Sequence, residues 1–297
     1  MKKYHGQRSF AQEPALSDTL FNLLDVVFPE VDIRAAASVA RKLGAPWESA
    51  STPFFKFQDE IAVTHVGVLE IPMYLMGKLV TVGGIHAVST HPEFRRRGYY
   101  REVMEEVLDY CDSRYETLVL TTSQAEFYKP FGFRVVEEYV FKAKCDKSLG
   151  LNQTSNGFRF LNLADRDDFQ ILHRLLEKRE PVSNLVGVVN EKALFFVNEA
   201  TSPLHYAPDL DAIVVMEIEK TTLKLFDIAA TQVCTLKSII ERIPQLIEEV
   251  EIYFTPDRLD IVNYQIFPHE LNETFLMVRG KFTSEVEKFM LPRSARC

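Results

Sequence analysis

Residues 90–101 read Thr90-His91-Pro92-Glu93-Phe94-Arg95-Arg96-Arg97-Gly98-Tyr99-Tyr100-Arg101, and the fold turns on how this stretch is understood. A β-rich segment from Leu79 to about Val88 runs into it. Behind it Val103, Met104, Val107, Leu108 and Cys111 recur at helical spacing, with Glu102, Glu105, Glu106 and Asp109 on the other side. A turn from a strand into an amphipathic helix that lies on a sheet is therefore expected. The free N–H groups and positive dipole end of such a helix suit a bound anion. Gly98 keeps the backbone accessible at the tightest point, and Arg96 and Arg97 can add charge. Taken by itself, the turn could equally be a solvated basic patch.

Working outward, two short helices are expected before residue 45. One carries Leu20, Leu23, Leu24 and Val27, and the other runs from Ile33 to Leu43 and stops at Gly44 and Pro46. Strands follow over Phe54–Phe57 and Ile61–Ile71, separated by Gln58-Asp59-Glu60. Gly83 and Gly84 inside the next strand suggest a bulge or the close approach of a ligand. After the amphipathic helix come a buried strand at Thr117–Thr121, a helical turn at Glu126–Lys129 and a closing strand from Phe133 to Phe141. The order gives a mixed α/β (α+β) domain.

Between Cys145 and Gly157 the chain is rich in turn formers and poor in apolar residues, so the division is expected to fall into residues 1–147 and 158–297. The second part begins with a helix capped by Asp165 and carrying Phe169, Leu172, Leu175 and Leu176. A hairpin follows over Ala212–Glu219 and Leu223–Ala230, then a helix capped by Thr235 and strands at Val250–Phe254 and Phe275–Val278. This order echoes the first part and suggests a degenerate duplication. Its own strand-to-helix junction, Ile228 to Thr235, has neither Gly nor Arg. One anion site per chain is expected.

Composition narrows the function. With 297 residues, 46% of them apolar, the chain can bury a large core. No segment approaches the roughly 18 apolar residues of a membrane helix, and the basic start Met1–Arg8 is followed by polar residues, so a cytoplasmic protein without membrane association is expected. Four separated cysteines, Cys111, Cys145, Cys234 and Cys297, argue against a disulfide scaffold and a zinc site, and no metal is expected. A formal charge of −8 disfavours nucleic acid as a partner. Association into a homo-oligomer is left open.

Downstream of the turn stands Ser123-Gln124-Ala125-Glu126-Phe127-Tyr128-Lys129-Pro130-Phe131-Gly132-Phe133. The Pro-x-x-Arg-x-x-Gly turn together with this Phe-Tyr-x-x-Phe-Gly-Phe resembles the GCN5-related N-acetyltransferase (GNAT) superfamily, and Arg95–Arg101 is similar to the Arg-Arg-Arg-Gly-x-x-Arg form of Eis-like acetyltransferases. The motifs cover about residues 80 to 141. The resemblance implies a GNAT acyl-CoA N-acyltransferase fold followed by a second, degenerate GNAT-like lobe, without the sterol-carrier-like domain of larger members. Acetyl-CoA is the implied cosubstrate and a small-molecule amine the implied acceptor, with a polyamine-like amine congenial to the acidic balance.

Residue by residue, the resemblance implies that Val88, Ser89 and Thr90 border the acetyl group and pantetheine through their backbone. Arg95, Arg96, Arg97, Gly98, Tyr99 and Tyr100 form the pyrophosphate turn, and Ser123 and Gln124 lie along the pantetheine arm. Tyr100 departs from the usual Gly or Ala and could crowd the diphosphate. Tyr128 is the implied general acid, the competing reading being an aromatic core residue beside Phe127, Phe131 and Phe133. His86, with a near-neutral pKa and a position two residues before Val88 on the same face of a regular strand, is the candidate base. Glu70, Glu126 and, by resemblance, the terminal carboxylate at Cys297 are further candidates, while His91 is assigned to the turn. Acceptor contacts are expected from the early helices, the segment Trp47–Thr52 and the second lobe. The alternatives are a CoA-binding regulatory or scaffold protein without turnover, and a turn that contacts protein or nucleic acid with no cofactor.

Overall fold

Helix α1 (Leu16–Val27) forms because Leu16, Leu20, Phe21, Leu23 and Leu24 fall on one face, which it buries against Trp47 and Phe55. The Asp32 carboxylate accepts from the Ala35 N–H and starts α2 (Ile33–Lys42), and a short α3 (Trp47–Ala50) leads into the sheet. The computed structural model describes residues 4–145, 157–199, 201–269, 273–283 and 286–297. Among them no helix is long and apolar enough to cross a membrane.

Strands β1 (Ser51–Gln58), β2 (Ile61–Leu75) and β3 (Lys78–Thr90) form an antiparallel meander. Helix α4 (Tyr99–Asp112) then crosses over to β4 (Thr117–Thr122), parallel to β3. The apolar stripe of α4 packs on the sheet through Val103, Met104, Val107 and Cys111 against Phe54, Val66, Ile85 and Leu120, as the helical spacing predicts. Next come β5 (Arg134–Val136) and β6 (Glu138–Lys144), then β7 (Arg159–Phe160), α5 (Arg166–Lys178), β8 (Val186–Val188) and α6 (Ala193–Glu199). The chain closes with β9 (Leu204–Ala207), β10 (Ala212–Glu219), β11 (Thr222–Ala230), α7 (Leu236–Ile240), β12 (Glu249–Ile252), β13 (Gln265–His269) and β14 (Phe275–Gly280). Asp165 and Thr235 cap α5 and α7 as expected.

Two sheets result, in the orders β1-β2-β3-β4-β14-β5 and β13-β6-β12-β11-β10-β9-β7, with β8 added to β2. They exchange strands reciprocally. β14, from the end of the chain, inserts between β4 and β5, and β6, from the first half, inserts between β12 and β13. In each sheet a hairpin is followed by a parallel strand, a strand contributed by the other half and an edge strand, so the duplication inferred from element order is visible in the topology. The single strand expected over Phe133–Phe141 is divided at Glu137, because its two ends belong to different sheets. A boundary at residues 147–158 therefore separates strands that share a sheet.

The last residues lock the halves together. Arg179 and Asp227 form a bidentate pair at 3.0 and 2.5 Å with side chains 2% and 0% exposed, and the Ser294 hydroxyl donates to the same carboxylate. Arg293 grips Glu199 at 2.9 and 2.8 Å, and Arg296 grips Glu138 at 2.9 and 2.7 Å.

Candidate active site

Among the described residues β3 and β4 pair only at Gly83–Leu118 and Gly84–Val119. Beyond that point they part, leaving a cleft between residues 85–90 of one strand and 120–122 of the other. The glycines make this narrow meeting possible. A Cβ on Gly83 would stand 2.6 Å from Leu118 Cδ2, and one on Gly84 would stand 2.6 Å from Ile71 Cδ1 and 3.0 Å from Cys297 Sγ. They admit neighbouring protein, where the sequence had suggested a bulge or a ligand.

The bulge lies three residues on. His65 pairs with Ser89 and Gly67 with His86, so Ala87 and Val88 together face Val66, with Ala87 at φ 50°. The extra residue breaks the strand's alternation. Val88 packs toward α4, whereas His86 faces Trp47 on the opposite side, their rings edge to face at 6.1 Å. The regular-strand expectation that His86 and Val88 share a face is thus corrected. His65 fixes the bulge: its Nδ1–H donates to the Ala87 carbonyl at 2.8 Å, while its buried Nε2 has no partner among the described residues.

Burial lowers the His65 pKa to about 4 and, together with the neighbouring His65, lowers that of His86 to about 3. His86 Nε2 shares a 2.8 Å hydrogen bond with the Ser51 hydroxyl. The ring lines a cavity on that side of the sheet, but it lacks the near-neutral pKa on which the expectation of a general base rested. Glu70 accepts from the Tyr115 hydroxyl at 2.8 Å and Glu126 pairs with Lys129; neither lines that cavity.

Tyr128 sits at the open end of the cleft, on the turn after β4. It is buried, packing edge to face with Tyr100 and Phe133 at 6.2 and 6.1 Å, so the core reading of this residue is also met. Burial pushes its pKa up to about 12, a Thr122 hydrogen bond works the other way, and nearby Cys297 raises it further. The phenol is protonated at neutral pH and is a donor. Ser123 and Gln124 follow β4 in exposed positions, the Gln124 N–H donating to Thr122 Oγ1 at 3.0 Å.

In the arginine turn the Glu93 N–H donates to His91 Nδ1 at 3.3 Å, so His91 serves the turn as expected. Arg95 Nε donates to the Thr90 carbonyl at 3.2 Å, and Arg97 donates to the Glu93 carbonyl at 3.0 Å and lies over the Phe94 ring. Arg96 and Gly98 take left-handed φ values of 63° and 85°, and Gly98 is the N-cap of α4. Among the described residues no carboxylate pairs with Arg95, Arg96 or Arg97, and a Cβ on Gly98 would find nothing within 4 Å. The first-turn amides of α4, beginning at Tyr99, have no intrahelical acceptor. Tyr100 turns its hydroxyl to the Phe127 carbonyl at 3.2 Å and its ring to Phe131 and Tyr128. It joins the arginine turn to the tyrosine turn. Ser89 is buried, its hydroxyl without a partner among the described residues, and the Thr90 and Thr64 hydroxyls lie 3.2 Å apart.

On the other side of the bulge is a cavity of about 240 Å³, walled by α1, α2, Trp47, His86, Ala87, α6 and the final residues Arg296 and Cys297. Trp47 and the early helices, from which acceptor contacts were expected, line this cavity. Cys297 is part of the cluster, its carbonyl accepting from the Thr121 N–H at 3.0 Å. The sequence reading missed His65, Gly67 and α6, and reached Ser51 only as part of the segment Trp47–Thr52. Only Gly67, a glycine within a β-rich run, left any mark there.

Residues 14–136 match the family described as the acetyltransferase (GNAT) domain. Solved structures that resemble the chain include a probable N-acyltransferase from Enterococcus faecalis V583, with 16% identity, TM-score 0.56 and coverage of 92% of this chain and 71% of that one. A GCN5-related N-acetyltransferase from Kribbella flavida gives 16% and 0.56, with coverage of 90% and 69%. Eis1 from Mycobacterium abscessus gives 13% and 0.53, with coverage of 94% and 74%. At these identities the likeness establishes the two-lobed α/β GNAT fold. No curated protein matches the sequence.

Proposed function

We propose that the protein transfers the acetyl group of acetyl-CoA to a primary amine by direct attack, with Tyr128 as the general acid. The observation that carries this reading is the protonated Tyr128 phenol at the open end of the β3–β4 cleft, tied by Tyr100 to a helix N-terminus whose arginines have no carboxylate partner among the described residues.

The pyrophosphate would lie on the amides from Gly98 onward with Arg96 and Arg97, and Arg95 would hold the turn to Thr90. The pantetheine arm would run between Val88–Thr90 and Ser123–Gln124, along strand edges that make no pairing with each other. An amide left out of the ladder at the Ala87–Val88 bulge would face the thioester carbonyl, where negative charge develops. A neutral amine enters from the cavity and its nitrogen bonds to the carbonyl carbon. The C–S bond then breaks, the departing thiolate takes the Tyr128 proton, and the surplus amine proton leaves to water. Transfer from a phenol near 12 to a thiolate whose ordinary value is about 8.5 is uphill and is drawn forward by water re-protonating the phenolate. His86 holds the incoming amine through its remaining ring nitrogen and does not remove the proton. The second lobe, with no arginine turn before its five-residue α7, adds walls and anchoring but no second acetyl-CoA site.

Acetyl-CoA should raise the melting temperature, and the protein should release free thiol in the presence of an amine panel. Stabilisation without thiol release on any amine would replace this reading with a silent CoA-binding protein. No stabilisation at millimolar acetyl-CoA would remove both.

A further inference from the structure

The acceptor cavity differs from its surroundings in one respect: the chain is acidic, and the cavity is not. Its walls are Phe21 and Leu24 of α1, Ala36 of α2, Trp47, and Leu194 and Val197 of α6, among other apolar side chains. The polar side chains lining it are His86, Asn198 and Arg296, and each is already engaged. His86 Nε2 is held by Ser51, Asn198 donates to the Ser294 and Arg296 carbonyls at 3.3 and 2.9 Å, and Arg296 is paired with Glu138. Among the described residues no side-chain carboxylate lines the space, and the carboxyl end of Cys297 in its wall has an oxygen taken by the Thr121 N–H. Glu191, just before α6, spends its oxygens on the Leu194 and Phe195 amides.

Resting on the acetyl-transfer reading above, we infer that the acceptor is a primary amine carried on one apolar body, of the size of an aromatic ring with a short alkyl arm, and not a polycation. Size and chemistry both point there. An apolar cavity of about 150 Å³ takes up benzene, so 240 Å³ admits a ring together with a two- or three-carbon arm. The arm reaches His86, which borders the bulge, and places the nitrogen at the mouth of the β3–β4 cleft. A second ammonium group would have to shed its water against apolar walls and one arginine, with no side-chain carboxylate among the described lining residues to receive it. The acidic surface that made a polyamine congenial lies outside this space.

Trp47 is the chain's one tryptophan and stands in the cavity wall, so its emission reports occupancy whether or not turnover occurs. The experiment titrates 2-phenylethylamine, n-hexylamine and spermidine into the full chain, following Trp47 emission, and repeats the series as thiol release from acetyl-CoA. The first two amines should change the emission saturably and be acetylated at least tenfold more efficiently than spermidine. Ala36→Phe should weaken the phenylethylamine response at least tenfold while leaving thermal stabilisation by acetyl-CoA in place. Val197→Asp, at a position already 38% exposed, should move the preference toward spermidine. Preference for spermidine in the wild type, a response only to longer acyl-CoA thioesters, or indifference to both substitutions overturns the inference. An emission response to phenylethylamine without stabilisation by acetyl-CoA keeps the cavity's chemistry and sinks the transfer reading, so the two fail separately.

Discussion

Gly67 and His86 face each other across β2 and β3, and a Cβ on Gly67 would stand 2.3 Å from His86 Nε2. The imidazole occupies the space that any side chain on the neighbouring strand would need. Gly67→Ala should push the ring off Ser51 and out of the cavity, at an overpacking cost of about 1–3 kcal/mol. Urea unfolding reads the cost. Amine turnover should fall while stabilisation by acetyl-CoA persists; unchanged turnover would remove His86 from the acceptor site.

The buried histidines make the protein sensitive to acid. His65 has a folded pKa near 4 against about 6.5 unfolded, so between those values the unfolded chain binds the extra proton. Stability is complete above about pH 6.5 and is lost as pH falls toward 4, with a slope of up to about 1.4 kcal/mol per pH unit for this group. His86 adds a slope of the same sign. Unfolding free energies measured from pH 7.5 to 4.5 should show this loss, and His65→Gln should flatten it. An equal slope in the variant would assign the acid sensitivity elsewhere.

Gly98 is needed for its backbone and not for lack of room. At φ 85° an L-residue is strained by about 1–2 kcal/mol. Gly98→Ala should relax the turn away from the anion and cost roughly tenfold in acetyl-CoA affinity by calorimetry. Retained affinity would move the pyrophosphate away from this turn.

Anchoring of the final residues depends on a buried charge pair. Asp227→Ala leaves Arg179 buried without its partner and frees Ser294, so a loss of about 3–5 kcal/mol is expected in denaturant unfolding. A loss below about 1 kcal/mol would show that the segment is held without this pair.

The first lobe was legible in the sequence because its determinants are local. The stripe from Val103 to Cys111 and Gly98 after a run of arginines each announce themselves within a few residues, as do the caps at Asp165 and Thr235 in the second lobe. The strand exchange was not legible, because whether Glu138–Lys144 pairs with β4 or with β12 depends on partners over 100 residues away that carry the same apolar alternation. The site divides in the same way. The arginine turn and Tyr128 were found from contiguous motifs. The bulge at Ala87 depends on the pairing register with Val66, and the apolar cavity depends on α6 arriving from the second lobe; neither leaves a local mark. His86 was found, but its depressed pKa comes from burial among distant elements, and its type and strand position alone suggested a base.

The most direct test of acetyl transfer through this site is the comparison of Tyr128→Phe with the wild type, measuring kcat by thiol release and acetyl-CoA affinity by calorimetry. Loss of the proton donor alone should lower kcat roughly a hundredfold, with the affinity within about twofold because the ring still packs against Tyr100 and Phe133. An unchanged kcat, or a loss of turnover accounted for entirely by lost acetyl-CoA binding, would contradict the role given to Tyr128.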